Sequence, residues 1–278
     1  MIMANIEPFY ARKRFGQHFL HDPAIIERIV SAISPKPSDV VVEIGPGLGA
    51  LTGPLLRSAK RLHAVELDRD LARRLITEFE DENLHLHRAD ALAFDFAALG
   101  GADGPLRLVG NLPYNISTPL LFHLLAQSRH IRDMHFMFQR EVANRIVAAP
   151  GDGRYGRLSV MTQWRCRTEK LFDVGPGAFA PPPRVTSSVV RLALRAHPPA
   201  PVSDPAIFER LVAKAFSHRR KTLRNCLRGW LSTSGIMAAG IDPGARPETL
   251  DLRQFARLSN RLVEEMNGIV TRAPSPAK

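Results

Sequence analysis

"VVVEIGPGLGALT", residues 40–52, is the stretch on which the rest of the chain can be ordered. Three successive valines mark a β-branched strand, and Gly45, Gly47 and Gly49 end it in a tight turn that opens a helix. Glycine there lets the backbone bend sharply and approach a ligand closely. The next apolar run, "RLHAVEL" (61–67), ends about 20 residues beyond Gly45 at Glu66, where a carboxylate accepts both hydroxyls of a ribose. A glycine turn alone serves equally well as a strand-to-helix connector. With Glu66 in place, the pair describes a ligand that carries a nucleoside.

Outward from this stretch, strands and helices alternate. Asp22-Pro23 and "AIIERIVSAI" (24–33) predict a capped helix that stops at Ser34-Pro35, and Asp68 caps a second through "RDLARRLITEF" (69–79). "LHLH" (84–87), "LRLVGN" (106–111) and "MHFMFQ" (134–139) read as strands, with the helix "STPLLFHLLAQ" (117–127) between the last two. Such βαβ units imply a doubly wound, mostly parallel sheet, so the expected fold is α/β with a Rossmann-like domain over residues 1–198. Regularity fades through "YGRLSVMTQWRCRTEKLF" (155–172), and the proline-rich "FAPPPRVTSSVVRLALR" (179–195) ends in an apparent strand. Beyond the linker-like "AHPPAPVSDP" only helical patterns remain. They predict a small, all-helical C-terminal domain over 199–278, with its boundary near Pro199 and a frayed "TRAPSPAK" tail.

Composition narrows the partners. Across 278 residues Lys and Arg number 38 against 27 Asp and Glu, a formal net charge of +11, which favours a polyanion such as nucleic acid. Cys166 and Cys226 have neither CxxC nor metal-ligand spacing, so no metal is expected. No apolar stretch reaches the length of a membrane span, and the basic N-terminus lacks the apolar core of a signal peptide. A cytoplasmic monomer with no membrane partner is the expectation.

The glycine spacing is G-x-G-x-G, with Glu43 just ahead of it, rather than the G-x-G-x-x-G of dinucleotide sites. That suits S-adenosyl-L-methionine, in which a methionine carboxylate and amine replace the pyrophosphate. Asp90, after the third strand, is placed to accept the adenine amino group, although an Asp there also caps turns. "GNLPYNIS" (110–117) puts Asn111 at the carboxyl end of the fourth strand, facing the same crevice. The Asn111 amide oxygen and the Leu112 carbonyl are two acceptors for one amino group, and Pro113 stiffens the turn and removes an N–H donor. Accepting both hydrogens of an adenine amine draws its delocalised lone pair toward a tetrahedral, nucleophilic geometry. Tyr114 offers a face to the base and to a sulfonium. A plain Asn-Pro-type turn with a half-buried tyrosine is the competing interpretation.

These blocks, together with "ARKRFGQHFLHD", "MHFMFQREVANRIVA", "YGRLSV", "AFAPPPRVTSSVVRL" and "FSHRRKTLRNCL", resemble the small-subunit ribosomal RNA adenine N6,N6-dimethyltransferases of the KsgA/RsmA type over nearly the whole chain and in the family's order. The resemblance implies dimethylation of two adjacent adenosines near the 3′ end of small-subunit (16S) rRNA during assembly of the small ribosomal subunit. It places cofactor contacts on His18, Leu20, Gly45, Gly47, Glu66, Asp90 and Asn111, and sets Phe179 beside the target base as a second stacking face, with a core phenylalanine near a proline-rich turn as the equal alternative. Many relatives carry Asn where His18 stands. The cations Arg219, Arg220, Lys221 and Arg224, on an apparent helix, and Arg12, Lys13 and Arg14 form charge runs of the kind that is usually only a solvated face. In a basic two-domain protein with an RNA-modifying crevice they are expected to contact RNA phosphates.

Three other readings compete. An Erm-type large-subunit rRNA methyltransferase shares the glycine turn and an NxPY motif, but "HRRKTLRNCL" and "YGRLSV" argue against it. A NAD-dependent dehydrogenase would need the longer glycine spacing and has no use for NLPY. A non-catalytic assembly factor is disfavoured by the intact Asn111, Pro113 and Tyr114.

Overall fold

The computed structural model describes residues 17–59, 61–80, 83–100, 104–218 and 220–271. The expected positions Arg12, Lys13, Arg14 and Arg219 lie outside them. Within the described residues the chain divides into two compact units, one from residues 1–143 and 169–194, the other from residues 144–168 and 195–278.

The first unit carries the sheet. Asp22 accepts from the N–H groups of Ala24 and Ile25 and starts α1 (Pro23–Ile33), which a left-handed Ser34 ends. Then follow β2 (Val40–Ile44), α2 (Thr52–Ser58), β3 (Arg61–Glu66), α3 (Arg69–Glu78), β4 (Leu84–Arg88), β5 (Leu106–Asn111), α4 (Ser117–Ala126) and β6 (Ile131–Gln139). β1 (Phe19–Leu20) lies ahead of α1 and pairs antiparallel with β8 (Phe179–Ala180) as a separate two-stranded ribbon. The main sheet has seven strands in the order β4-β3-β2-β5-β6-β9-β7, with β7 spanning Cys166–Val174 and β9 Ser187–Leu194. β4, β3, β2, β5 and β6 are parallel, and β9 runs antiparallel to β6.

Every residue of β2 is buried, as a central strand with both faces covered requires. Val41, Leu62 and Val109 of three adjacent strands meet Ile29 and Ile33 of α1 and Leu55 of α2 in one apolar cluster. From β2 the strand order runs outward to β3 and β4, then returns across β2 to β5 and β6. The reversal leaves a crevice beyond the carboxyl ends of β2 and β5, where open α/β sheets bind ligands. Gly110 sits at this junction, because a Cβ there would run into the Ile44 carbonyl oxygen of β2.

The second unit comprises residues 144–168, including α6 (Arg157–Arg165), with α7 (Pro205–Ala215), α8 (Leu223–Cys226), α9 (Thr233–Ala238) and α10 (Leu252–Thr271). α5 (Arg140–Val147) crosses from one unit into the other along the chain. A division at Pro199 therefore differs from this one. Trp164 of α6 packs 4.7 Å from Phe208 of α7, Arg157 pairs with Glu209 at 3.1 Å, and Arg195 donates to the carbonyls of Gln163 and Cys166, so residues 144–168 belong with the later helices. α6 and β7 are the elements that periodicity does not reveal. α6 buries Ser159 and Thr162 beside Val160, Met161 and Trp164 and so has no clear apolar stripe, and β7, at the end of the sheet, is rich in charge.

Among the described residues no helix is long and apolar enough to cross a membrane.

Candidate active site

The turn after β2 forms the floor of the crevice. Gly45, Gly47 and Gly49 all have positive φ, at 68°, 60° and 81°. Gly49 also lies so close to Phe79 that a Cβ would overlap its ring. Gly47 turns its N–H toward Glu66 and donates to Oε2 at 3.2 Å, while Oε1 accepts from the Asp68 N–H at 2.9 Å. Glu66 is thereby fixed at the end of β3, and each oxygen keeps a lone pair for an outside donor. Burial raises its pKa despite these N–H bonds.

Glu43, two residues before Gly45, is a second buried carboxylate on the crevice wall. Thr52 at the start of α2 donates to its Oε2 at 2.7 Å, and none of the described residues donates to Oε1. Burial pushes the Glu43 carboxyl up to about 7, with Glu66 adding repulsion and Thr52 opposing. A cationic ligand at the crevice would relieve both carboxylates.

On the β5 side, Asn111 donates from Nδ2 to the His18 carbonyl at 2.8 Å. A carbonyl is an acceptor only, so this bond fixes the amide orientation and leaves Oδ1 as the acceptor. Among the described residues nothing donates to that oxygen. The Tyr114 hydroxyl is 2.6 Å from Ser187 Oγ, a fully buried group at the start of β9, and the Tyr114 ring lies 5.7 Å from the His18 ring. Burial raises the Tyr114 pKa, which keeps the phenol neutral.

The expected residues His18, Leu20, Gly45, Gly47, Glu66, Asp90, Asn111, Leu112, Pro113 and Tyr114 all line this one crevice. Two more of them are also engaged within the protein. The His18 side chain fastens the chain, donating from Nδ1 to the Pro181 carbonyl at 2.7 Å. Asp90 Oδ1 accepts from the Leu92 N–H at 2.9 Å, so one of its oxygens caps the local turn.

Phe179 is not brought to the crevice. Pairing of β8 with β1 turns its side chain into the core beside Leu20 and Val189, and only 2% of it is exposed. The basic segment differs as well: residues 216–218 and 220–221 lie in turns and bends, and α8 begins only at Leu223, after an extended Thr222. Arg220, Lys221 and Arg224 are exposed there. Thr52, Leu67 and Ser187 were not anticipated. Leu67, on the crevice wall and 51% exposed, is a flat apolar surface after Glu66, and the polar pair Ser187-Ser188 opening an apolar strand was the available signal for Ser187. Among the described residues no group of His, Cys, Asp and Glu side chains could hold a metal ion.

Known proteins match this architecture over nearly all of its length. The family described as "Ribosomal RNA adenine dimethylase" matches residues 9–264. "Ribosomal RNA small subunit methyltransferase A" of Laribacter hongkongensis is 59% identical over 250 residues, covering 90% of this chain and 95% of that protein. The protein of the same name from Pseudomonas aeruginosa is 55% identical over 263 residues, covering 94% and 98%. Among solved structures, a dimethyladenosine transferase from Plasmodium falciparum superposes with a TM-score of 0.74 at 27% identity, covering 90% of this chain and 98% of that one. The 23S rRNA methyltransferase ErmE superposes with a TM-score of 0.69 at 29% identity, covering 88% and 99%. Matched span and identity agree with the crevice geometry, and the chain belongs to the ribosomal RNA adenine dimethylase family.

Proposed function

We propose that this chain dimethylates the N6 amines of two adjacent adenosines near the 3′ end of small-subunit ribosomal RNA, using S-adenosyl-L-methionine, during assembly of the small subunit. The observation that carries the proposal is the Asn111 amide, whose nitrogen is committed to the His18 carbonyl and whose oxygen is thereby presented to a donor at the carboxyl end of β5.

The residues present fit the cofactor. Two buried carboxylates with raised pKa values gain from a cationic ligand, and Glu66 keeps lone pairs for ribose hydroxyls. Gly45, Gly47, Leu20, His18 and Asp90 would surround it, with Glu43 facing its ammonium or sulfonium charge. When bound, S-adenosyl-L-methionine supplies an electrophilic methyl group. Asn111 Oδ1 and the Leu112 carbonyl accept the hydrogens of the adenine amine, which localises its lone pair and fixes its direction. Tyr114 stacks on the flipped base, a contact worth about 1–3 kcal/mol. After the first transfer the methylated amine loses a proton to solvent, which restores its one lone pair, and the remaining N–H is held while that lone pair is aimed again.

Relatives named for the small subunit stand at 55–59% identity, against 29% for the large-subunit methyltransferase ErmE, which favours small-subunit RNA as the substrate. Arg220, Lys221 and Arg224 are assigned to phosphate contacts, and the protein to the cytoplasm as a monomer. The test is incubation with labelled S-adenosylmethionine and undermethylated small subunits, followed by RNA digestion. Dimethyladenosine at two neighbouring positions is expected. Label confined to large-subunit RNA, or none on properly assembled substrate, overturns the proposal.

A further inference from the structure

We propose that the loop between β8 and β9, together with Arg140, is a docking ledge that grips the RNA strand beside the flipped adenosine. This inference rests on the function proposed above and adds a binding surface to it.

Topology puts the ledge at the working edge of the sheet. Asn111 of β5 pairs with Met137 of β6, and the last residue of β6, Gln139, pairs with Ser187, the first of β9. The chain entering β9 therefore emerges at the same edge as the Asn111 turn, and Arg140 follows directly from β6.

The ledge is fastened at both ends to the crevice walls. Ala180 pairs with Phe19, and the Pro181 carbonyl accepts from His18 Nδ1 at 2.7 Å. At the far end Thr186 accepts from the Arg140 N–H at 2.9 Å, and Ser187 holds the Tyr114 hydroxyl at 2.6 Å. Three successive prolines, Pro181 to Pro183, restrict the backbone further, so little ordering remains to be done on binding.

What this fixed loop shows to solvent has no internal use. Pro181, Pro182 and Arg184 are exposed, and Val185 is 44% exposed, one of few large apolar side chains so placed. Arg140 is also exposed, and neither it nor Arg184 forms an ion pair with any of the described residues. Asp173 feels the Arg140 charge but is already held by Lys170 at 3.0 Å and by Ser188 at 2.6 Å. Two uncommitted guanidinium groups flanking apolar prolyl and valyl faces match a single strand, whose phosphates meet the cations and whose bases meet the apolar faces. The chain's net charge of +11 favours the same partner.

The test is binding, measured independently of turnover. Wild type, Arg140→Gln, Arg184→Gln, the double variant and Arg184→Lys are titrated with undermethylated small subunits at several salt concentrations. Melting temperature and S-adenosylmethionine affinity serve as controls and should be unchanged. Each Gln variant is expected to weaken binding about 3- to 10-fold, and the double variant to lower the salt-dependence slope by about 2. Arg184→Lys is expected to keep most of the affinity because the charge survives. A double variant that binds with wild-type affinity and salt slope overturns the ledge. A wild type that binds tightly yet transfers no methyl overturns the proposed function and leaves the ledge standing.

Discussion

The two ends of strands β2 and β5 handle buried polar groups in opposite ways. At the amino end Arg107 uses every N–H it has: Nε and Nη2 bond to Asp133 at 2.9 and 3.1 Å, Nη1 to Asp39 at 2.9 Å and the Ser34 carbonyl at 3.1 Å, and Nη2 also to the Ile33 carbonyl at 2.7 Å. Burial alone would raise the Asp39 carboxyl, but the Lys36 N–H and the Arg107 and Arg132 guanidinium groups outweigh it and hold the carboxyl low. At the carboxyl end of the same strands Glu43 has one oxygen engaged and Asn111 one end of its amide. One end is complete within the protein, and the other keeps acceptors that none of the described residues fills. Between these two strand ends, the open acceptors are the ones that face the crevice, and the satisfied ones hold the fold.

Breaking the closed end should have the largest effect on the fold. Arg107→Leu leaves the buried Asp39 and Asp133 with only the part-exposed Arg132 as a cationic partner, at 3.0 and 3.6 Å, and should cost about 3 kcal/mol of stability at pH 7, read by denaturant unfolding. The deficit should shrink toward acid, because carboxylates without their partner take up protons. The wild-type contribution of Asp39, with its lowered pKa, persists above the ordinary carboxylate range and is lost only as pH falls through its folded value.

Glu43→Gln tests the open end with the opposite sign. The Glu43 pKa of about 7 lies above its ordinary 4.5, so the folded state holds a proton that the unfolded chain releases. Its contribution is full below about 4.5 and falls as pH rises to about 7, beyond which the buried charge is a constant burden. Gln keeps the Thr52 bond without that charge. The variant should melt a few degrees higher than wild type at pH 8, with the gap closing toward pH 4.5, yet bind S-adenosylmethionine on the order of tenfold more weakly. Equal affinity would remove Glu43 from the cofactor site.

Ser187→Ala sharpens the account with a smaller effect. Losing a bond worth about 1 kcal/mol should lower kcat about fivefold while cofactor affinity holds. Combined with Tyr114→Phe it should do no further harm, since both changes delete one contact. Additive losses would make Ser187 a packing residue only.

The open end was the more legible in the sequence, because its chemistry is written in short motifs: a glycine turn, an acidic strand end, and Asn-Leu-Pro-Tyr at a third strand end. The closed end depends on Asp39, Arg107 and Asp133, which come together only once β2, β5 and β6 are side by side, and no local pattern announces that. Likewise the His18–Pro181 bond spans most of the chain, and Phe179 turns inward because of a two-residue pairing with β1. Sequence order puts residues 144–168 with the sheet, whereas Trp164 against Phe208 and Arg195 on the Gln163 and Cys166 carbonyls join them to the helical unit.

The most direct test is single-turnover methyl transfer by Asn111→Ala at saturating S-adenosylmethionine. Because Asn111 also tethers the His18 segment, cofactor affinity should fall by no more than about tenfold. The transfer step itself should slow by about 100-fold or more, since the acceptor that orients the amine is gone. Wild-type transfer, or a loss fully restored by added cofactor, would contradict the role assigned to Asn111.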